Sequence, residues 1–169
     1  MVLNAPTEST KRILIKRDSK NYEFRLPKVS DAPAMLRMIR AAASETKAKV
    51  PQANIPSLVN AIQLSETSPD VVLVRIAESN GKVIGMVAAL CAPLLYDMST
   101  RVAYIHFIYA IPDARGRMAR QAFRLIETWA KTCGATKVYT GAPDTIPATR
   151  LLYHQFGYHD IETNMVKEL

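Results

Sequence analysis

The chain has 169 residues, 49% apolar and 22% charged, with 22 Lys and Arg against 15 Asp and Glu for a formal net charge of +7. That length and balance predict one domain able to bury roughly two-thirds of its unfolded surface, and they exclude a disordered chain or a small disulfide-stapled scaffold. The longest apolar stretch, "VIGMVAALCAPLL", falls short of the ~20 residues that a membrane-spanning helix needs.

Residues 1–20 are polar and basic around a short "ILI" and predict a basic arm or an extra edge strand; residues 21–169 are expected to form the domain. No apolar run follows a basic start in "MVLNAPTESTKRILIKRDSKN", so a cytoplasmic setting is expected. "YEFRLP" predicts a short strand. "SDAPAMLRMIRAAASE" predicts a helix capped by Ser30 or Asp31, with Pro33 in its first turn and Met35, Met38, Ile39 and Ala42 on one face. "KVPQANIP" reads as a loop and "SLVNAIQLSE" as a shorter helix. Two β-type runs, "DVVLVRIAE" and "KVIGMVAAL", are separated by "SNG", the turn chemistry of a hairpin.

"CAPLLYDMST" is expected to be a loop and "RVAYIHFIYAI" a strand. From Arg115 onward Met118, Ala119, Ala122, Phe123, Ile126 and Ala130 recur at helical spacing as far as "KTCGA", where Gly134 supplies a stop. "TKVYTGA" predicts a strand, "IPATRLLYHQFG" a helix closed by Gly157, and "YHDIETNMVKEL" a terminal strand or hairpin. The order β, α, α, β, β, β, α, β, α, β predicts an α/β (α+β) fold, a single mixed and largely antiparallel sheet flanked by helices.

Cys91 and Cys133 give neither a disulfide framework nor a metal-ligand spacing and read as packed, reduced thiols. His154 and His159 have no third ligand at a sensible spacing, so no metal is expected. The basic balance favours polyanions such as nucleic acid or a phosphate-rich cofactor, without choosing among them.

Three stretches, in order, carry a family resemblance. "IYAIPDARGRMARQAF" is similar to an apolar strand, "V-x-P-x-x-R-G", a phosphate turn and a helix; "RLLYHQFGYHDIETNMVKEL" is similar to "lYek-GF" followed by a final strand; "FRLPKVSDAPAMLRMI" is similar to the opening strand and helix. The chain resembles the superfamily of acyl-coenzyme A dependent N-acetyltransferases, abbreviated GNAT, over about residues 22–169. Independently of the family, a strand leading directly into a helix presents unpaired N–H groups and the positive end of a helix dipole to a pyrophosphate. The family's "Q/R-x-x-G-x-G/A" turn falls on Arg115, Gly116, Arg117, Met118, Ala119 and Arg120, with Met118 and Arg120 where glycine or alanine is usual. A side chain there can obstruct the phosphates.

The resemblance implies acetyl-CoA as acyl donor, an amine acceptor and direct transfer. It places the backbone of Ile108, Tyr109 and Ala110 against the pantetheine arm and thioester, and Tyr153 as general acid. His106 stands where many members carry a glutamate base, and an imidazole with an ordinary pKa near ~6.5 can accept a proton. Tyr104, on the same face of a regular strand, is a core or pocket-lining residue. Ile146 replaces a frequent asparagine. Asp97 is a contact for a cationic acceptor or simply solvated, and the net charge favours an acceptor that is anionic or a protein amino group. Pairing of two copies is compatible with the resemblance. Two other readings stay open: a family-like fold that has lost catalysis and binds or supports a partner, and a basic nucleic-acid-binding module.

Overall fold

The computed structural model describes residues 12–13, 22–46, 53–142 and 147–161. Its strands are β1 (Arg12–Ile13), β2 (Glu23–Arg25), β3 (Val72–Ser79), β4 (Lys82–Leu94), β5 (Asp97–Ala110) and β6 (Ala135–Thr140); its helices are α1 (Ala32–Thr46), α2 (Ile55–Thr67), α3 (Arg117–Thr132) and α4 (Pro147–Gln155). Among the described residues they form one six-stranded sheet in the order β1-β2-β3-β4-β5-β6. Every neighbouring pair is antiparallel except β5 and β6, which are parallel. The expected mixed, largely antiparallel sheet flanked by helices is therefore the fold.

Two apolar layers sandwich the sheet. On one face Met35 and Met38 of α1 and Leu58 and Ile62 of α2 bury against Val74, Ile76, Met86 and Tyr109. On the other, Met118, Ala122, Leu125 and Ile126 of α3 bury against Leu73, Ala77, Val87, Ala89 and Ala110. Their i, i+4 and i, i+3 spacing makes each helix one-sided, and each large side chain removed from water contributes roughly 1.5–3 kcal/mol.

Local chemistry sets the ends of the elements. Asn80 and Gly81 both have positive φ, 49° and 73°, giving the two-residue turn that joins Ser79 to Lys82. The α2 helix starts at Ile55, two residues before the expected start, because the Asn54 Oδ1 accepts from the Ser57 N–H at 2.9 Å and Pro56 suits a first turn. Asp31 faces back instead of capping α1: its carboxylate accepts from the Lys28 N–H at 2.7 Å and from both Nη atoms of Arg25 at 2.7 and 3.1 Å.

The expected loop "CAPLLYDMST" is instead the tip of a long hairpin. Strand β4 runs to Leu94, residues 95 and 96 turn, and β5 begins at Asp97. Pro93 is tolerated there because β3 stops pairing with β4 at Leu90, so the proline's missing N–H faces no neighbouring strand. Arg12 and Ile13 form an edge strand on β2. The rest of the arm, Ile146 and residues 162–169 of the expected terminal strand lie outside the described residues, while 158–161 have no regular structure.

Candidate active site

The site is built where β5 loses one neighbour and runs into α3. Opposite β4, Ala88 pairs with Phe107 but Ala89 with Ile105, so His106 is the extra residue of a β-bulge. The bulge switches side-chain parity: Ile105 packs on the α3 layer, whereas Ile108 packs there beyond it and Phe107 packs on the α1 layer. The regular alternation that would place Tyr104 and His106 on one face therefore ends at this point. On the other side, β6 pairs with β5 only as far as Ile105 with Thr140. Beyond that pair, among the described residues, the backbone of Ile108, Tyr109 and Ala110 meets no strand on its β6 side.

Tyr153 comes to the same place from α4. Its ring stands edge-on to Phe123 of α3, 5.3 Å between centroids at 89°, and its phenol shares a hydrogen bond with the Thr140 side chain. Thr140 is the partner of Ile105, the residue before His106. The fold thus brings the two sequence-predicted catalytic side chains to the point where the strands part. Burial pushes the Tyr153 phenol above its ordinary value, partly opposed by the Thr140 hydrogen bond, so it holds its proton at neutral pH. His106 is exposed.

At the end of β5, Pro112–Ala114 make one 3-10 turn and Gly116, at φ 79° and ψ −72°, turns the chain into α3. A side chain rarely adopts that backbone, which accounts for the glycine. The Arg120 N–H bonds to the Gly116 carbonyl at 3.2 Å and the Arg117 N–H to that of Arg115 at 3.0 Å. The Met118 and Ala119 N–H groups belong to the open first turn. Met118 does not obstruct that end: its side chain is fully buried, packed toward Gly85 beneath the turn. Arg117 and Arg120 are exposed.

Arg115 has another set of partners. Its Nη2 pairs with the Glu45 carboxylate, its Nε donates to the Ala110 carbonyl at 3.2 Å, and its guanidinium lies 5.7 Å above the Tyr109 ring. The Tyr109 hydroxyl donates to Glu45 Oε1 at 2.9 Å. The hydrogen bond from Tyr109 and the Arg115 charge hold the Glu45 carboxyl below its ordinary range. Sequence reading missed Glu45, a polar residue at the end of a helix whose apolar spacing pointed elsewhere. It also missed Gly85; an isolated glycine inside a strand pattern was its signal.

An open cleft of about 320 Å³ adjoins the turn on the β3–β4 hairpin side, lined by Tyr22, Asn80, Lys82, Asp113, Arg115 and Arg117. Its charged lining is mostly cationic, beside the apolar Ile84, Ile111 and Ala114, and it lies away from the parted strands. The remaining candidates are peripheral. Asp97 opens β5 and accepts from the Ser99 N–H and Oγ at 3.1 and 2.6 Å, and those hydrogen bonds lower its carboxyl pKa. His154 approaches Asp160 at 3.5 Å, and His159 is exposed. Among the described residues no cluster of His, Cys, Asp and Glu could hold a metal, and no helix is long and apolar enough to cross a membrane. Cys91 and Cys133 are free and buried.

Residues 36–158 match the profile of the Acetyltransferase (GNAT) family. The chain belongs to the GNAT family. Its acetyltransferase fold recurs in solved structures of low identity. Glucosamine-6-phosphate N-acetyltransferase from Arabidopsis thaliana aligns with a TM-score of 0.72 at 12% identity over 88% of this chain and 99% of the other. A ribosomal-protein-alanine N-acetyltransferase from Brucella melitensis biovar Abortus 2308 gives 0.68 at 17% identity over 88% and 99%. A predicted acetyltransferase with acetyl-CoA from Clostridium acetobutylicum gives 0.66 at 18% over 89% and 96%. No curated protein sequence matches the chain. Family membership supports acetyl transfer in general, and these likenesses carry the fold alone.

Proposed function

We propose that this GNAT protein is a cytoplasmic N-acetyltransferase that moves an acetyl group directly from acetyl-CoA to a primary amine. The observation that carries the reading is the junction itself: a bulge at His106, strands parted beyond Ile105 and Thr140, and a helix N-terminus at the end of the same strand. The first turn of α3, with Gly116, Arg117, Met118, Ala119 and Arg120, offers backbone N–H groups and positive charge to a pyrophosphate, and Arg115 adds a guanidinium if it leaves Glu45. The free backbone edge of Ile108, Tyr109 and Ala110 pairs with the amide arm and supports the thioester oxygen as charge develops.

Acetyl-CoA supplies an activated acyl group: a C–N bond forms, the C–S bond breaks, and the leaving sulfur needs a proton. Tyr153, kept protonated by its burial, donates it. His106, exposed at the bulge, takes the amine proton directly or through water. Calorimetric titration of acetyl-CoA into the purified protein tests the reading, with Gly116→Pro as the control variant and an amine panel to follow. Micromolar binding lost in the variant supports it. Absence of binding by folded protein removes it and favours a fold kept for binding or support.

A further inference from the structure

Two exposed side chains, Leu90 and Tyr104, and the half-buried Tyr139 line up across the sheet beside this junction. Leu90 of β4 pairs with Tyr104 of β5, and Tyr104 pairs with Tyr139 of β6, so all three project from one face. That face is the one opposite α3, because Ile105 and Val138, the sequence neighbours of the two tyrosines, pack on the α3 layer. Leu90 is 39% and Tyr104 40% exposed, well above a core residue. The tyrosine rings lie nearly parallel, 18° between planes and 5.2 Å between centroids. Helices α1 and α2 cover this face over β3 and the Met86 and Tyr109 end of the hairpin, and among the described residues neither helix packs on the row. Lys137, two residues before Tyr139, shares the face and is exposed.

The direction of approach identifies the occupant. Tyr153 reaches the junction from the α3 side, through Phe123 and Thr140. A group that protonates the leaving sulfur stands on the cofactor's side of the acyl carbon, so the attacking amine arrives from the opposite face. That face carries the aromatic row, with Tyr104 two residues before the His106 bulge. The row spans two inter-strand spacings, about 10 Å, the extent of one ring system with a short side chain. Lys137 disfavours a second cation and suits a neutral or anionic ring substituent.

Resting on the acetyltransferase reading, we infer that the Leu90, Tyr104 and Tyr139 row is the acceptor platform, and that the acceptor is a primary amine carrying a planar apolar ring. Tyr104 and Tyr139 select the ring by stacking; Lys137 selects against dicationic amines.

The test compares tryptamine, 2-phenylethylamine and n-butylamine at saturating acetyl-CoA, with each kcat/KM referred to the concentration of neutral amine so that differences in basicity do not enter. The ring amines are expected to show kcat/KM about tenfold above butylamine. Tyr104→Leu and Tyr139→Leu are each expected to cut that preference to below about threefold. Thermal unfolding and acetyl-CoA titration of both variants check that each is folded. Equal rates for the three amines, or a preference unchanged in both variants, overturns the inference and leaves the transferase reading standing. A turnover-independent arm uses saturation-transfer NMR of tryptamine and indole-3-propionate. Ring signals present with the wild type and lost in both variants support a ring-binding row even if no amine is acetylated, in which case the acceptor role falls with the transferase reading and the ring site alone stands. If neither binding nor turnover occurs, both fall. A dimer of the wild type that Tyr139→Leu splits would mean that a second copy covers the row, and the inference would fail.

Discussion

The Met118 sulfur occupies the space that a Cβ on Gly85 would need, and the same Cβ would lie 2.8 Å from the Tyr109 carbonyl oxygen. Gly85 pairs with Ala110, the last residue of β5, so this contact seats the start of α3 directly beneath the end of the strand that feeds it. Gly85→Ala is expected to destabilise the fold by about 1–3 kcal/mol through overpacking. Met118→Ala is expected to cost about 2–5 kcal/mol through the cavity it leaves. The double variant should be more stable than the sum of the two losses predicts, because removal of the sulfur relieves its clash. The backbone oxygen of Tyr109 still limits that relief. A denaturant double-mutant cycle measures it, and strict additivity would show that the two residues do not share one space.

Gly116 holds φ at 79° with open space around the position of a Cβ. Gly116→Ala therefore acts through backbone strain alone, at about 1–2 kcal/mol of stability. If the turn relaxes to avoid that strain, the N–H groups of α3 move and acetyl-CoA affinity falls more than stability does. Parallel thermal melts and calorimetric titrations separate the two effects. An affinity unchanged while stability drops would mean that the phosphates do not use this turn.

Arg25 joins Asp31 and Glu78, anchoring the loop before α1 to β2 and β3. Burial alone would raise the Asp31 carboxyl, but the hydrogen bonds from Arg25 and the Lys28 N–H overcome it and hold the group below its ordinary range. A lowered folded-state pKa means stability that is present above the unfolded value of about 3.9 and lost as pH falls through the folded value. Asp31→Asn is accordingly expected to cost about 1–3 kcal/mol at pH 7. The gap between variant and wild type should narrow below about pH 4. Urea unfolding at pH 7 and pH 3 checks the sign.

Glu45 engages both Arg115 and Tyr109. The pair is largely exposed, so Glu45→Gln should change stability by no more than about 1 kcal/mol. Freed of the carboxylate, Arg115 can turn to the cofactor phosphates, and acetyl-CoA is expected to bind roughly threefold tighter at low salt, with the gain screened as ionic strength rises. Weaker binding instead would show that the ion pair shapes the turn.

The elements with strong local signals were legible in the sequence. The Asn80-Gly81 turn, the apolar spacing of α3 and the strand leading into it follow from φ preferences and periodicity alone. The hairpin tip was not, because Pro93 and the polar "DMST" read as loop unless one knows that the pairing of β4 with β3 stops at Leu90 and leaves the proline a free edge. Tyr153 and His106 were proposed from motif position, yet their convergence depends on the Ile105 and Thr140 pair, a contact between distant segments. Met118 read as an obstruction because its direction is set by the missing side chain of Gly85, over thirty residues earlier. The tyrosine stack likewise needs the parallel register of β5 and β6, which neither strand encodes by itself.

In the proposed reaction the leaving sulfur needs a proton. Tyr153→Phe keeps the ring against Phe123 and removes only the hydroxyl and its bond to Thr140, so stability should fall by about 1 kcal/mol. If the phenol donates the proton, kcat falls by about 100-fold or more. Acetyl-CoA affinity changes little, since the ring still fills the same space. The pH profile provides a second readout. Burial raises the phenol above about 10, so wild-type kcat should not decline through loss of this proton until the medium is more alkaline than that. A pH profile of kcat for both proteins, with acetyl-CoA dissociation constants measured alongside, checks the assignment. Equal kcat values in wild type and Tyr153→Phe would remove Tyr153 from the chemistry and leave it as a packing residue of the α3 and α4 layer.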